Sequence, residues 1–151
     1  MKNIIEIISR AAGWTEVPPD EEGGYHYFLE GGLDLDIRCP DDRCCVLSTV
    51  LEPAPSSDQP EAAREHWLRL GLAACAVMNA QGSILAKKGE EVVLYRRLDL
   101  DELNEAEIVD EVRDFLNDQA WWRRFLSQGE GSMPSAFSTD FSMWFPPQFS
   151  F

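Results

Sequence analysis

Residues 65–79 read EHWLRLGLAACAVMN, and between Arg69 and Asn79 this stretch carries no charge, in a chain whose formal net charge is -14. A helix without a polar face has to be covered on both sides. Ala63, Trp67, Leu70, Ala74, Val77 and Met78 recur at three- and four-residue steps, which predicts one stripe facing a sheet. Leu68, Leu72, Cys75 and Ala76 are left over on the far side. In a short chain with few other helices the simplest second cover is another copy of the protein, so the spacing predicts a homodimer. Its expected interface is Trp67, Leu68, Leu72, Cys75 and Ala76, with Trp67 as an anchor because large aromatics dominate buried interfaces. The small residues Gly71, Ala73 and Ala76 would allow close helix approach.

Upstream of this helix the chain begins with Ile4, Ile5, Ile7, Ile8, Ala11 and Ala12 at helical spacing, which Gly13 can close. Val17-Pro18-Pro19 and the acidic DEEGG that follows end that helix. Three strand signals come next, at Tyr25–Glu30, Leu33–Cys39 and Cys44–Leu51, separated by Gly31-Gly32 and by Pro40-Asp41-Asp42. Such short, turn-like separators predict an antiparallel meander. Leu33, Leu35 and Ile37 alternate with Asp34, Asp36 and Arg38, the pattern of a strand with one wet face. Pro60 suits the first turn of the central helix, which is expected to stop near Asn79–Gly82. Ile84–Ala86 and Val92–Arg97 then flank Lys87-Lys88-Gly89-Glu90 as a second hairpin. A long closing helix is expected to bury Leu103, Ala106, Val109, Val112, Leu116, Trp122 and Leu126. Glu105, Glu107, Asp110, Glu111, Asp114 and Asp118 are expected to face water. The fold class is α+β, a five-stranded antiparallel sheet with three helices in the order α-β-β-β-α-β-β-α. It spans residues 1–128, and an aromatic-rich tail at 129–151 carries Phe137, Phe141, Trp144, Phe145, Phe149 and Phe151.

At 151 residues and 17.1 kDa the chain is the size of one ordinary domain. With 27 acidic against 13 basic residues it lacks the clustered Lys and Arg that phosphate binding needs, so neither nucleic acid nor an anionic membrane is an expected partner. The N-terminal MKNIIEIISRAAG is interrupted by Glu6, Ser9 and Arg10 and is not a signal peptide. No segment approaches the roughly 20 apolar residues of a membrane span, and the cytoplasm is the expected location.

There is no GxGxxG, P-loop, GxSxG, HExxH or EF-hand loop, and no catalytic constellation. The cysteines Cys39, Cys44, Cys45 and Cys75 contain no CxxC pair, so neither a metal nor another cofactor is expected and reduced packing thiols are. His26 reads as packed or exposed, and His66 as a boundary or interface residue. Asp34 and Asp36 read as carboxylates on a wet sheet face.

The order of elements resembles the class I type III secretion chaperones, the family that includes the Tir chaperone. The resemblance is carried by Glu65–Leu126: CAVMNAQGSILA is similar to the family's central helix running into Asn and Gly, and VVLYRRLDLDELNEAEIVDEVRDFLNDQAWWRRFL to its final strand, acidic turn and closing helix. The Pro- and acid-rich segment before the first strand is longer than the family's, and the tail has no counterpart in it. The resemblance implies helices covering one face of a twisted sheet and dimerisation through the central helix. It implies a cytoplasmic bacterial protein, not an enzyme, that binds the N-terminal segment of a secreted effector in extended form. Such a chaperone keeps its effector soluble and delivers it to the secretion machinery without a nucleotide. Ile4, Ile7 and Ile8 of the first helix and Leu33, Leu35 and Ile37 of the second strand are the expected groove lining, with core packing as the alternative for each. Two other function classes remain on this reading. One is a dimeric adaptor acting on a folded partner, and the other is a small thiol or metal enzyme using Cys44 or Cys45. The tail either occupies the effector groove or completes the apolar cover of a helix.

Overall fold

The alternation that separates Leu33, Leu35 and Ile37 from Asp34, Asp36 and Arg38 organises the structure, a computed structural model that describes residues 4–56 and 58–128. In strand β2 (Leu33–Arg38) the first set is buried and the second half-buried. The other elements are α1 (Ile4–Ala12), β1 (Tyr25–Leu29), β3 (Cys44–Pro53), α2 (Pro60–Val77), β4 (Ile84–Lys88), β5 (Glu91–Asp99) and α3 (Glu105–Ser127). The five strands form one sheet in the spatial order β1-β2-β3-β5-β4, with every neighbouring pair antiparallel. This is the α+β architecture expected from the sequence. Between β1 and β2 the chain reverses through Gly31 and Gly32, both at positive φ (79° and 77°); two consecutive left-handed residues are open to glycine and costly for any side chain.

Directly opposed residues of an antiparallel ladder share a face. Tyr27, Leu35, Ile37, Cys45, Leu47, Val92, Leu94 and Leu98 therefore make one side of the sheet, and all of them belong to the core. From above come Ile4, Ile5 and Ile8 of α1, Leu70, Ala73 and Val77 of α2, and Ile108, Val112, Phe115, Leu116, Trp122 and Phe125 of α3. The opposite side of the sheet, carrying His26, Phe28, Asp36, Val46, Ser48, Val50, Val93 and Tyr95, is covered by none of these helices.

Helix α3 buries Val112, Leu116 and Trp122 as expected and departs from the expectation at Ala106 and Asp118. Asn104 caps it, accepting from the backbone N–H of Ala106 and Glu107, while Glu107 returns a bond to the Asn104 N–H. Leu103 thus lies before the helix, and the inward stripe runs through Ile108, Val112, Phe115, Gln119 and Trp122 at four- and three-residue steps. Ala106 is exposed, whereas Asp118 is buried rather than wetted. In α2, Leu70, Ala73 and Val77 point inward, with Trp67 and Ala74 half-buried beside them. Ala73 is therefore a core residue and not part of an outer face. Met78, expected on the inner stripe, is 67% exposed because the helix ends at Val77 and Met78 is its C-cap.

The buried Asp118 carboxylate accepts from the backbone N–H (3.3 Å) and hydroxyl (2.5 Å) of Ser83, at the entry to β4. Arg96 fills the space beside Gly82, where a Cβ would come within 2.1 Å of its guanidinium, and pairs with Glu111 at 2.9 Å. Burial pushes the Asp118 carboxyl from 3.8 up to about 6, against the opposing pull of Ser83 and Arg96. A folded-state value above the unfolded one means that the folded chain binds the proton more tightly. Stability is therefore lost as pH rises through the window from 3.8 to about 6. Asp118→Asn keeps an acceptor for Ser83 and removes the charge. It is expected to stabilise the protein at pH 7 by up to about 3 kcal/mol and to flatten the profile between pH 4 and 6, read by urea titration at each pH.

Candidate functional site

Two surfaces of the described chain are apolar and uncovered. The first is the outer side of α2, where Leu68 is 60% and Leu72 47% exposed and Cys75 and Ala76 are exposed beside them. These are the four residues that the spacing left without a cover. Trp67, half-buried, lies at the edge of this side and packs against the core. The helix is seated from its other side by Arg69, whose guanidinium donates to the Phe125 carbonyl at 3.0 Å and lies 4.6 Å from the Phe125 ring centre. Cys75 is not a packing thiol within this chain, and neither is Cys39; both are exposed, while Cys44 and Cys45 are buried.

The second surface is the helix-free side of the sheet. A groove of about 460 Å³ crosses it from β2 to β4. Val46, Val50, Val93, Tyr95 and Ala86 form its middle, Asp36 and Arg38 its β2 side, and Lys88 and Glu91 its β4 side. The groove thus has an apolar centre and charged margins of both signs. The sheet's outer edges are β1 and β4. Lys87 and Lys88 guard β4 in the manner of a protected edge. The sequence of β1, YHYFL, contains no Lys and no Pro, and its Phe28 is 90% exposed; no described strand pairs with its outer side.

Charged clusters hold the β1–β2 end of this face. His26 sits between two carboxylates, with its Nε2 2.9 Å from Asp20 and its Nδ1 against Asp36. Hydrogen bonds to Asp20 and then Asp36 raise its pKa above the usual histidine range. Asp20 is in turn held low by the backbone N–H of Gly24 and by His26, and Arg38 ties the segment down through Glu22 at 2.6 Å. His26 is thus an exposed latch for the loop before β1.

The registered pairs of β2 with β3 are Asp36–Ser48, Ile37–Leu47 and Arg38–Val46. Beyond them a side-chain network joins the two strands to α3. Asp34 accepts from Thr49 Oγ1 (2.9 Å), from Arg123 and, at 3.4 Å, from Gln119, while Gln119 also donates to Thr49 Oγ1 at 2.9 Å. Arg123 donates to the Val50 carbonyl at 3.3 Å. Asp34 is therefore a structural acceptor, and no sequence signal marked Gln119 or Arg123 as its partners.

His66 is the boundary residue expected: its Nε2 lies 2.8 Å from Glu52, which turns toward α2 because Leu51 is an extra residue in the β3–β5 register. None of the residues expected to bind an effector lines the sheet groove. Ile4, Ile7 and Ile8 are buried on the inner side of α1, and Leu33, Leu35 and Ile37 are buried in β2. The same alternation that made β2 legible sends those three beneath the helices and leaves Asp36 and Arg38 at the groove. Among the described residues no three His, Cys, Asp or Glu side chains gather as a metal site, and no helix is long and apolar enough to cross a membrane. Both tail alternatives fall in residues 129–151, outside those described.

No protein-family model and no curated protein matches the sequence. Solved structures do. The HopA1–SchA chaperone–effector complex matches with a TM-score of 0.59 at 20% identity, covering 82% of this chain and 92% of that one. The Yersinia pestis type III secretion chaperone SycH, in complex with a stable fragment of YscM2, matches with a TM-score of 0.52 at 9% identity, over 79% and 96% of the two chains. An uncharacterised protein from Methanothermobacter thermautotrophicus matches with a TM-score of 0.56 at 11% identity, over 84% and 96%. With its helix-covered sheet and element order now placed beside these structures, the chain has the fold of the type III secretion chaperones.

Proposed function

We propose that the protein is a type III secretion chaperone: a homodimer, paired through the outer side of α2, that holds the N-terminal segment of a secreted effector in extended form and keeps it soluble and competent for secretion. The observation that carries this reading is the helix-free sheet face, with its apolar-centred groove and the unguarded edge of β1 beside it. An extended chain can complete the hydrogen bonding of an open edge and set alternate side chains into apolar pockets. The ordering cost of such a ligand is offset by a large contact surface. The net charge of -14 keeps a dimer with exposed apolar surface dispersed, as a bacterial cytoplasmic protein working without nucleotide requires.

The test is co-purification and calorimetry with the unfolded N-terminal segment of a type III secreted effector. Tyr95→Arg, in the middle of the groove, is expected to weaken binding at least tenfold, about 1.4 kcal/mol, with the melting temperature unchanged. Binding of a folded domain in preference to an unfolded segment would instead identify an adaptor.

A further inference from the structure

We propose that Cys39 and Cys45 are a reversible redox pair, a dithiol that a disulfide oxidant of the glutathione class converts to a cross-strand disulfide at the closed end of the β2–β3 hairpin.

The register carries the geometry. Ile37 opposes Leu47 and Arg38 opposes Val46; Cys39 and Cys45 are the next residue on each side, one step past that last registered pair. The two thiols share a hydrogen bond. Opposed antiparallel residues have Cα atoms about 4.5–5.5 Å apart, inside the span that a disulfide bridges without backbone movement. The turn between them is held in place. Asp41 Oδ1 accepts from the backbone N–H of Arg43 (2.9 Å) and of Cys44 (2.7 Å). The Arg43 carbonyl accepts from the Leu100 N–H at 2.8 Å, and its side chain pairs with Asp101 at 2.5 Å. Cys44 does not compete, because adjacent strand residues point to opposite faces.

The roles of the two sulfurs differ. Cys39 is exposed and Cys45 is fully buried, so the oxidant meets Cys39. The hydrogen bond from Cys45 lowers the Cys39 pKa and, with burial, raises that of Cys45, which makes Cys39 the attacking thiolate. It attacks one sulfur of oxidised glutathione, forms a mixed disulfide and releases glutathione thiolate, which takes up a proton. Cys45 then gives up its proton and attacks the Cys39 sulfur, displacing the second glutathione thiolate, which accepts that proton. The sum is two protein thiols and one glutathione disulfide going to one protein disulfide and two glutathione thiols. The chain neighbours of the two cysteines, Arg38, Pro40 and Val46, line the sheet groove, whereas the Cys45 thiol lies on the helix-covered side, so the bond would form behind the groove and not in it. The inference stands whatever the groove binds.

The experiment equilibrates the folded full-length chain in glutathione redox buffers, blocks the remaining thiols and maps tryptic peptides. Cleavage after Arg38 and Arg43 separates Cys39 from Cys44 and Cys45, so the expected product is a linked pair of peptides that appears as a single two-electron couple and disappears on reduction. Cys39→Ser, at an exposed position, should abolish the link, and Cys44→Ser should leave it intact. Persistence of a glutathione adduct on Cys39, a Cys44–Cys45 bond, or survival of the link in Cys39→Ser would each overturn the proposal.

Discussion

Trp122→Ala is expected to lower the stability of the fold by about 3–5 kcal/mol, a large part of the roughly 5–15 kcal/mol that holds a domain of this kind together. Trp122 is the largest fully buried side chain and is 1% exposed. Its ring meets Trp121 and Phe125 edge-on, at centroid distances of 5.0 and 5.7 Å, and Phe125 carries the Arg69 contact that seats α2. The indole N–H donates to Gln81 Oε1 at 3.0 Å, both groups being buried. Alanine therefore opens a cavity where α3, α2 and the loop before β4 meet, and leaves the Gln81 carbonyl without its donor. Trp122→Phe separates the two contributions: it keeps most of the ring and loses the hydrogen bond, and is expected to cost about 1–3 kcal/mol. Urea unfolding of the three proteins measures both steps. Equal midpoints for the wild type and Trp122→Ala would show that this junction does not hold the helices on the sheet.

The second large effect is on assembly. Leu72→Arg is expected to convert a particle of about twice 17.1 kDa into a monomer, by weakening self-association at least 100-fold, or about 2.7 kcal/mol. Leu72 lies mid-helix between exposed Leu68 and exposed Ala76, so in a two-fold pairing through this side each dimer receives the substitution twice. The partly exposed leucine contributes little to the core of its own chain, and the melting temperature of the resulting monomer is expected to fall only through loss of the partner. Light scattering on the size-exclusion eluate reads the mass directly. A wild-type protein that runs at 17.1 kDa would place the second cover of α2 within the chain itself and remove the dimer from the proposed function.

Alternation and helical spacing made most of the fold legible. β2 could be read from Leu33-Asp34-Leu35-Asp36-Ile37-Arg38 because a sheet covered on one side forces that period, and the outer face of α2 could be read because Leu68, Leu72, Cys75 and Ala76 had nothing left to pack on. Phase was less legible than existence. Asn104 and Glu107 set where α3 begins through side-chain to backbone bonds, and that start turned Asp118 and Gln119 inward and Ala106 outward.

The sequence reading and the open groove single out different residues. Apolar character drew attention to Ile4, Ile7, Ile8, Leu33, Leu35 and Ile37, yet the most apolar face of a strand is the one that a helix covers. The groove is lined by half-buried Val46, Val50 and Tyr95 and by buried Val93, on adjacent strands that are far apart in the chain. The sequence by itself determined the order of elements, the one-sided sheet and the uncovered side of α2, because each follows from local periodicity. Only the tertiary structure decided which sheet face stays open, that Asp34 is bound to Gln119 and Arg123, and that Cys39 lies near Cys45, because these depend on strand register and on contacts between residues distant in sequence, which no local pattern encodes.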